Sequence, residues 1–286
     1  MLTKKIAFIG SGAMGEAMLA GLLRQGLSRP ENLLTADART ERVDELSEKY
    51  GTQPFTENNL AVAEADVVIL SVKPQRLAEV LKGLKGHIRP EALVLSIVAG
   101  AKISKISKGL GHPAVVRSMP NTPAQISRGI TVWIASEAVD EDQKATASNI
   151  LGALGEQVEV DDENYLDMAT ALSGTGPAYV FLFMEAMIDA GVHMGFARRI
   201  SEKLVLETIK GSVAYYENLN QKGDTHVAAL RNQVTSPGGT TAEAMYFLEK
   251  AGFRTAVSRA IWAAYERSLE LGKEAPTHPP ESGTAQ

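Results

Sequence analysis

Polar and apolar positions divide the chain into two stretches of different period. Up to about Asp161, short apolar runs alternate with helical segments. The runs at 6–9, 33–36, 67–72, 93–98 and 114–116 are nearly free of polar residues, as strands buried on both faces should be. Further strands are expected near Gln53 and at 130–135 and 158–161. Between them, helix spacing recurs from Glu16 (Met18, Leu19, Leu22, Leu23) and at 42–50, 76–85 and 141–154. This alternation predicts an α/β fold, a Rossmann-type, doubly wound, mostly parallel sheet with helices on both faces. After Asp161 the strand signals stop. Helices are expected at 163–172, 177–194, 197–218, 226–232, 241–250 and 253–271, which marks a C-terminal all-α domain. The domains are therefore drawn at 1–161 and 162–273. The Pro-, Ser- and Thr-rich tail 274–286 reads as disordered.

Two features of the helical half stand out. Ser173-Gly174-Thr175-Gly176-Pro177 reads as a break, with Pro177 at the favoured first position of the next helix. Apolar residues crowd most of the circumference of the helix at 177–194. That predicts burial on more than one side, either in an oligomer interface or at the centre of a single-chain bundle.

Composition narrows the possibilities. The chain has 286 residues, 44% hydrophobic and 22% charged, as in an ordinary globular protein of about two domains. Its net charge of -5 argues against a general nucleic-acid partner. The absence of cysteine excludes disulfides, thiolate catalysis and Cys-ligated zinc, and is compatible with a reducing cytoplasm. The apolar run at 6–9 is too short for a signal peptide before Glu16 intrudes. No stretch approaches the roughly 20 apolar residues that span a bilayer, and Glu185 ends the richest run. The expectation is a cytoplasmic protein with no membrane partner and no internal repeat.

The candidate chemistry begins where the first strand ends. Gly10-Ser11-Gly12-Ala13-Met14-Gly15 has the spacing G-x-G-x-x-G between a strand and a helix, the context that turns a weak motif into a dinucleotide fingerprint. Gly10 allows the tight turn, Gly12 the approach of a pyrophosphate, and Gly15 close packing of helix on strand. The diphosphate would sit on the free N–H groups of the helix start. Asp37 ends the second strand about 20 residues on, where an acidic side chain can hold the adenosine ribose. Arg39 and Arg42 offer the alternative of a 2′-phosphate partner. Ser71 to Pro74, Ala99-Gly100 and Pro120-Asn121 follow later strands at the same sheet edge, where such folds bind ligands.

A second stretch, Ser236-Pro237-Gly238-Gly239-Thr240-Thr241, lies between two helical segments. Thr240 and Glu243 have capping-box spacing. Two glycines before a helix start also leave a cradle of N–H groups suited to a carboxylate. His87, His112, His193, His226 and His278 sit in no motif and are taken as structural or surface residues.

With these stretches in view, the chain resembles the pyrroline-5-carboxylate reductases. The matching segments are Phe8 to Gly15, Ser71-Val72-Lys73-Pro74, Met119-Pro120-Asn121-Thr122-Pro123, Ala171 to Tyr179 and Val234 to Thr241, in the family's order. The last is the family signature. The resemblance implies a homodimer or higher homo-oligomer and hydride transfer from NADPH, or less often NADH, to the carbon of a cyclic imine. It implies dinucleotide contacts from Gly10, Ser11, Gly12, Ala13, Met14, Gly15, Ser71, Val72, Lys73 and Pro74. Ala99 and Gly100 join this set by their place at the sheet edge. Asn58, upstream of the strand at 67, is placed at the adenosine. Ser236, Gly238, Gly239, Thr240 and Thr241 would hold the small-molecule substrate, with the Thr241 hydroxyl on its ring nitrogen in the catalytic role. NADPH is the expected cofactor, with Arg39 on the 2′-phosphate and Asp37 tilted away. No metal is expected. The rival readings are a β-hydroxyacid dehydrogenase and a non-catalytic NAD(P) sensor. The former places a lysine on the first long interdomain helix, and 173–194 contains none.

Overall fold

A computed structural model describes residues 3–221, 223 and 225–273, so the expectation for the tail lies outside the described residues. In chain order the first part comprises β1 (Ile6–Ile9), α1 (Ala13–Arg24), β2 (Leu33–Ala36), α2 (Thr40–Tyr50), β3 (Gln53–Phe55), α3 (Asn58–Ala63), β4 (Val67–Leu70), α4 (Leu77–Leu84), β5 (Leu93–Ser96) and α5 (Ile103–Leu110). It continues through β6 (Val115–Met119), β7 (Gly129–Ala135), α6 (Glu141–Gly152), β8 (Gly155–Glu159) and α7 (Asn164–Ala169). Then come α8 (Gly176–His193), α9 (Arg198–Asn220), α10 (Val227–Gln233), α11 (Thr240–Lys250) and α12 (Phe253–Gly272).

The strands form one sheet in the order β3-β2-β1-β4-β5-β6-β7-β8. All neighbours are parallel except β6 and β7, whose short connection turns back on itself. The central strands read as unbroken apolar runs because both faces are covered. On β1, Ile6 and Phe8 enter one apolar cluster with Met18, Leu19 and Leu22 of α1. Ala7 and Ile9 enter the other, with Ala61 and Val62 of α3 and Leu77 and Leu81 of α4. The two-residue period of a strand thus feeds two separate cores from one segment. Leu33 and Leu34 on β2, and Val67 and Val68 on β4, divide the same way.

Three expectations change. β8 spans Gly155–Glu159 instead of 158–161, because Gly155 pairs with Gly129 at the start of the ladder. A Cβ on Gly155 would stand 2.3 Å from the Gly129 carbonyl oxygen, so the glycine that hides the strand from its pattern is the one its register requires. The expected break at 173–177 is a π-helical turn at Thr170–Gly174, followed at once by α8. Pro177 has no N–H to give the Ser173 carbonyl four residues back. That carbonyl instead accepts from Asn121 Nδ2 at 3.1 Å, and Asn121 Oδ1 accepts from the Ile130 N–H at 3.0 Å. Because the turn keeps the helix going, Asn164–His193 becomes a 30-residue helix that is long and apolar enough to cross a membrane by length and composition, unlike the sequence expectation.

The described residues divide into two compact units, one of 3–175 with 263–273, the other of those within 176–262. In the first, Arg117 of β6 is buried and donates to Glu163 at 3.1 Å and Asp167 at 3.0 Å, while the Ser268 hydroxyl donates to Asp167 at 2.8 Å. This pins α7 and the last turns of α12 to the sheet. The second unit is helical. Gly191 of α8 packs on Ser201 of α9, and Phe183 meets Phe253 with ring centroids 6.2 Å apart. Otherwise its apolar side chains remain largely uncovered: Phe181 is 62% and Leu182 67% exposed, and α10 and α11 bury no residue.

Candidate active site

The glycine-rich turn is built as its spacing requires. Gly10 has φ +87°, and a Cβ there would meet Val72 Cγ1 at 2.7 Å. At Gly15 a Cβ would meet the Gly10 carbonyl oxygen at 2.8 Å, so this residue lets α1 sit down on the turn. Nothing lies within 4 Å of a Cβ placed on Gly12. Gly12 is also the N-cap of α1 and supplies no side-chain cap, which leaves the first N–H groups of the helix for a ligand. Ser71 holds the turn from the neighbouring strand end: its hydroxyl donates to the Gly10 carbonyl, and its N–H donates to Ile9 at 2.9 Å.

A cleft of about 710 Å³ opens beside this turn, of a size and lining that fit a dinucleotide. Among the expected residues Gly10, Gly12, Arg39, Asn58, Ser71, Val72 and Lys73 line it. Ser11 is buried beneath the turn. Ala13, Met14 and Gly15 belong to the first turn of α1, and Pro74 starts a short 3-10 turn. Ala99 and Gly100 are not brought to this cleft. Gly100 instead packs against the backbone of Leu271 and Gly272.

Electrostatics separate the two arginines that the sequence left together. Arg42 is spent inside the protein. It donates to the Ser11 carbonyl at 2.7 Å, to Glu45 at 2.7 Å and to Glu16, and is 14% exposed. Burial opposes ionisation of Glu16, but Lys49, Arg42 and Tyr50 outweigh it and hold its carboxyl down at about 2. Arg39 is 65% exposed on the cleft wall. Asp37 is not tilted away. It lines the cleft, accepts from the Ser11 N–H at 3.0 Å, and accepts from the Arg39 N–H and Nε at 3.1 Å each. Burial works against the charge on Asp37. The Arg39 guanidinium and these N–H groups prevail, keeping it below the usual carboxylate range.

The sequence reading missed Arg76, Glu79, Val80 and Gly83, which line the same cleft. They fall at helix spacing along one face of α4 and its leading turn, a signal visible directly after Ser71-Val72-Lys73-Pro74.

The second stretch lies in the helical unit. Gly239 is the N-cap of α11, with φ -83° and ψ 170°, and no side chain caps the helix. Thr240 and Thr241 are therefore its first two residues, so the Thr240–Glu243 capping box is not formed. Gly238 has φ +71°, and the Gly239 N–H donates to the Ser236 carbonyl at 3.1 Å, which folds the loop over the helix start. The N–H groups of Thr240, Thr241 and Ala242 are left without an intrahelical partner. Two histidines have structural roles. The buried His112 ring pairs with the Ala92 carbonyl at 2.7 Å, and His226 Nδ1 accepts from the Ala228 N–H to cap α10. Among the described residues no group of acidic or histidine side chains could hold a metal.

Comparisons with known proteins agree with both halves. A family model described as pyrroline-5-carboxylate reductase dimerisation matches residues 163–271. One described as NADP oxidoreductase, coenzyme F420-dependent, matches residues 5–100. The chain is 42% identical to the pyrroline-5-carboxylate reductase of Synechocystis over 94% of its own length and 99% of that protein's. Identity to the Pseudomonas aeruginosa enzyme is 38%, over 96% of this chain and 99% of that one. A crystal structure of Plasmodium falciparum pyrroline carboxylate reductase with NADP bound superposes with a TM-score of 0.86 at 34% identity, covering 96% of this chain and 100% of that one. The Coxiella burnetii enzyme gives 0.84 at 36% identity, with the same coverages.

Proposed function

Because the chain belongs to the pyrroline-5-carboxylate reductase family, it reduces 1-pyrroline-5-carboxylate to L-proline at the expense of NAD(P)H, and from that premise we propose how its own residues divide the work. The bound dinucleotide supplies the hydride. The turn from Gly10 to Gly15 and the uncapped start of α1 hold its diphosphate, Asn58 lies at the adenosine, and Arg39 takes the 2′-phosphate of NADPH. NADH, lacking that phosphate, loses only the Arg39 contact.

In the helical unit, the N–H groups around Gly238 to Thr240 hold the substrate carboxylate, beside the Ser236 hydroxyl. The Thr241 hydroxyl oxygen accepts from the ring N–H. The single observation that carries this assignment is the start of α11, where a glycine N-cap leaves the N–H groups of the first turn free. Hydrogen bonds to a charged group contribute about 1.5–3 kcal/mol each. The helix dipole adds about 0.3–1 kcal/mol. The N–H contacts therefore dominate. A protonated cyclic imine already carries the positive charge that hydride neutralises. The chain then needs no strong acid of its own, and holding two reactants face to face supplies most of the acceleration. A hydroxyacid dehydrogenase, by contrast, needs a group to move the alcohol proton, and α8 offers no lysine.

The working form is a homodimer or a larger homo-oligomer of it, in the cytoplasm. The uncovered apolar side chains of α8 support this, because a second copy gives them a partner without lipid. The site is tested by Gly239→Val. A Cβ at Gly239 would stand 2.5 Å from Ser236 Oγ and 3.2 Å from its carbonyl oxygen, so the Ser236 side chain must swing away and the turn must shift to admit valine. Activity with pyrroline-5-carboxylate should fall by more than tenfold while NADPH affinity holds. Unchanged activity would remove the loop from the site.

A further inference from the structure

A second cleft, of about 790 Å³, lies between α4 and α5, and its walls carry Lys82, Lys85, Lys102, Lys105 and Lys108 with the Ser104 hydroxyl. Among the described residues no carboxylate lines it. The only acidic residue of α4, Glu79, faces the dinucleotide cleft and pairs with Arg76, and α5 has no acidic residue at all. Among the described residues the lysines that form ion pairs are Lys5, Lys49, Lys144 and Lys210, all elsewhere. Five unpaired positive charges thus gather in one concavity of a chain whose net charge is -5.

Like charges crowd one side of each helix, although Lys82, Lys85 and Lys108 lie at C-terminal ends, where the dipole favours them. Lys105 and Lys108 of α5 follow its N-cap Lys102 at a spacing of three, and Lys82 of α4 precedes its C-cap Lys85 by the same spacing, so like charges are neighbours. Lys102 is the N-cap of α5 and Lys105 lies in its first turn, at the positive end of the helix dipole, with no acidic side chain to offset them. A multivalent anion turns each of these repulsions into an attraction. Ammonium groups are compact point charges with rotatable donors, and a cluster of them suits an anion that carries several charges along its length, as a chain of phosphates does. Among the described residues no aromatic side chain lines the cleft to stack a base, as single-stranded nucleic acid would require. We propose that this cleft binds an oligophosphate, either free inorganic tripolyphosphate or the phosphate tail of a nucleoside triphosphate, at a site separate from the dinucleotide cleft. The site does not depend on the assignment of Thr241 or the α11 loop.

Calorimetric titration of inorganic tripolyphosphate into the full chain, saturated with NADP+, tests this. One equivalent per chain should bind, and more weakly as salt rises. Lys82→Gln with Lys105→Gln should weaken binding at least tenfold, with the thermal midpoint no lower than the parent's and the NADPH KM unchanged. Lys203→Gln with Lys210→Gln, on α9, should not. Tighter binding of ATP than of tripolyphosphate assigns the site to a nucleotide, and equal affinity assigns it to the free oligophosphate. The proposal is overturned if tripolyphosphate does not bind, if NADP+ displaces it, if the lysine pair leaves its affinity unchanged, or if orthophosphate binds as tightly.

Discussion

Replacing Thr241 by alanine isolates one hydroxyl. Thr241 is the second residue of α11, after the Gly239 N-cap and Thr240, and it caps nothing. Alanine is the better helix former, by up to about 0.7 kcal/mol, so the change cannot cost activity by unfolding the helix. It keeps the backbone N–H on which the carboxylate cradle depends. What it removes is one hydrogen bond to a charged ring nitrogen, about 1.5–3 kcal/mol. At about 1.4 kcal/mol per decade, kcat/KM should fall roughly 10- to 100-fold. Initial rates of NADPH oxidation with pyrroline-5-carboxylate measure it. Thr241→Ser should restore most of the rate, and Thr240→Ala, which also keeps its N–H, should change little. Full kcat/KM in Thr241→Ala would refute the reasoning and leave Thr241 as an ordinary first-turn residue.

Arg39→Ala should raise the NADPH KM by the loss of one charge-assisted contact, about 1.5–3 kcal/mol, and leave NADH nearly unchanged. Equal effects on both cofactors would instead make Asp37 a ribose ligand. Glu16 titrates at about 2 against an ordinary 4.5, so its depressed value contributes stability that is fully present above pH 4.5 and is lost as pH falls through about 2. Solvent screening limits that contribution to about 1 kcal/mol. Glu16→Gln should therefore lower the melting temperature at neutral pH and converge with the parent near pH 2, and parallel curves would contradict the linkage. Sedimentation at micromolar concentration should show no monomer, whereas Phe181→Glu with Leu182→Glu should release one. A stable, active monomer of the parent chain would return α8 to a single-chain role.

The core strands were legible because β1, β2 and β4 are covered on both faces, so residues such as Ile6 to Ile9 carry no polar interruption. Glycine and proline hid what their neighbours revealed. Gly155 masked the start of β8, and Pro177 signalled a break that Asn121 bridges from a distant turn by serving the Ser173 carbonyl. Sequence spacing made Thr240 a capping residue, but a glycine in extended conformation took the cap and moved both threonines into the helix. Arg39 and Arg42 are indistinguishable by position. Only the packing of α1 against α2 decides that Arg42 serves Glu16 while Arg39 stays on the cleft wall. The Arg76 face of α4 was readable as helix periodicity, yet it held no residue type that announces a ligand.

The two outer strands of the sheet bear on how copies can meet. An unprotected edge offers a row of backbone groups to any passing strand. Here β3 is three residues long and carries Pro54, which has no N–H to offer, and β8 carries Glu156 and Glu159. A short proline-bearing strand on one side and like negative charges on the other both discourage the sheet from continuing into a second molecule. Open-ended, ribbon-like growth through the sheet is thereby discouraged, which leaves the apolar helices of the second unit as the surface through which copies can meet.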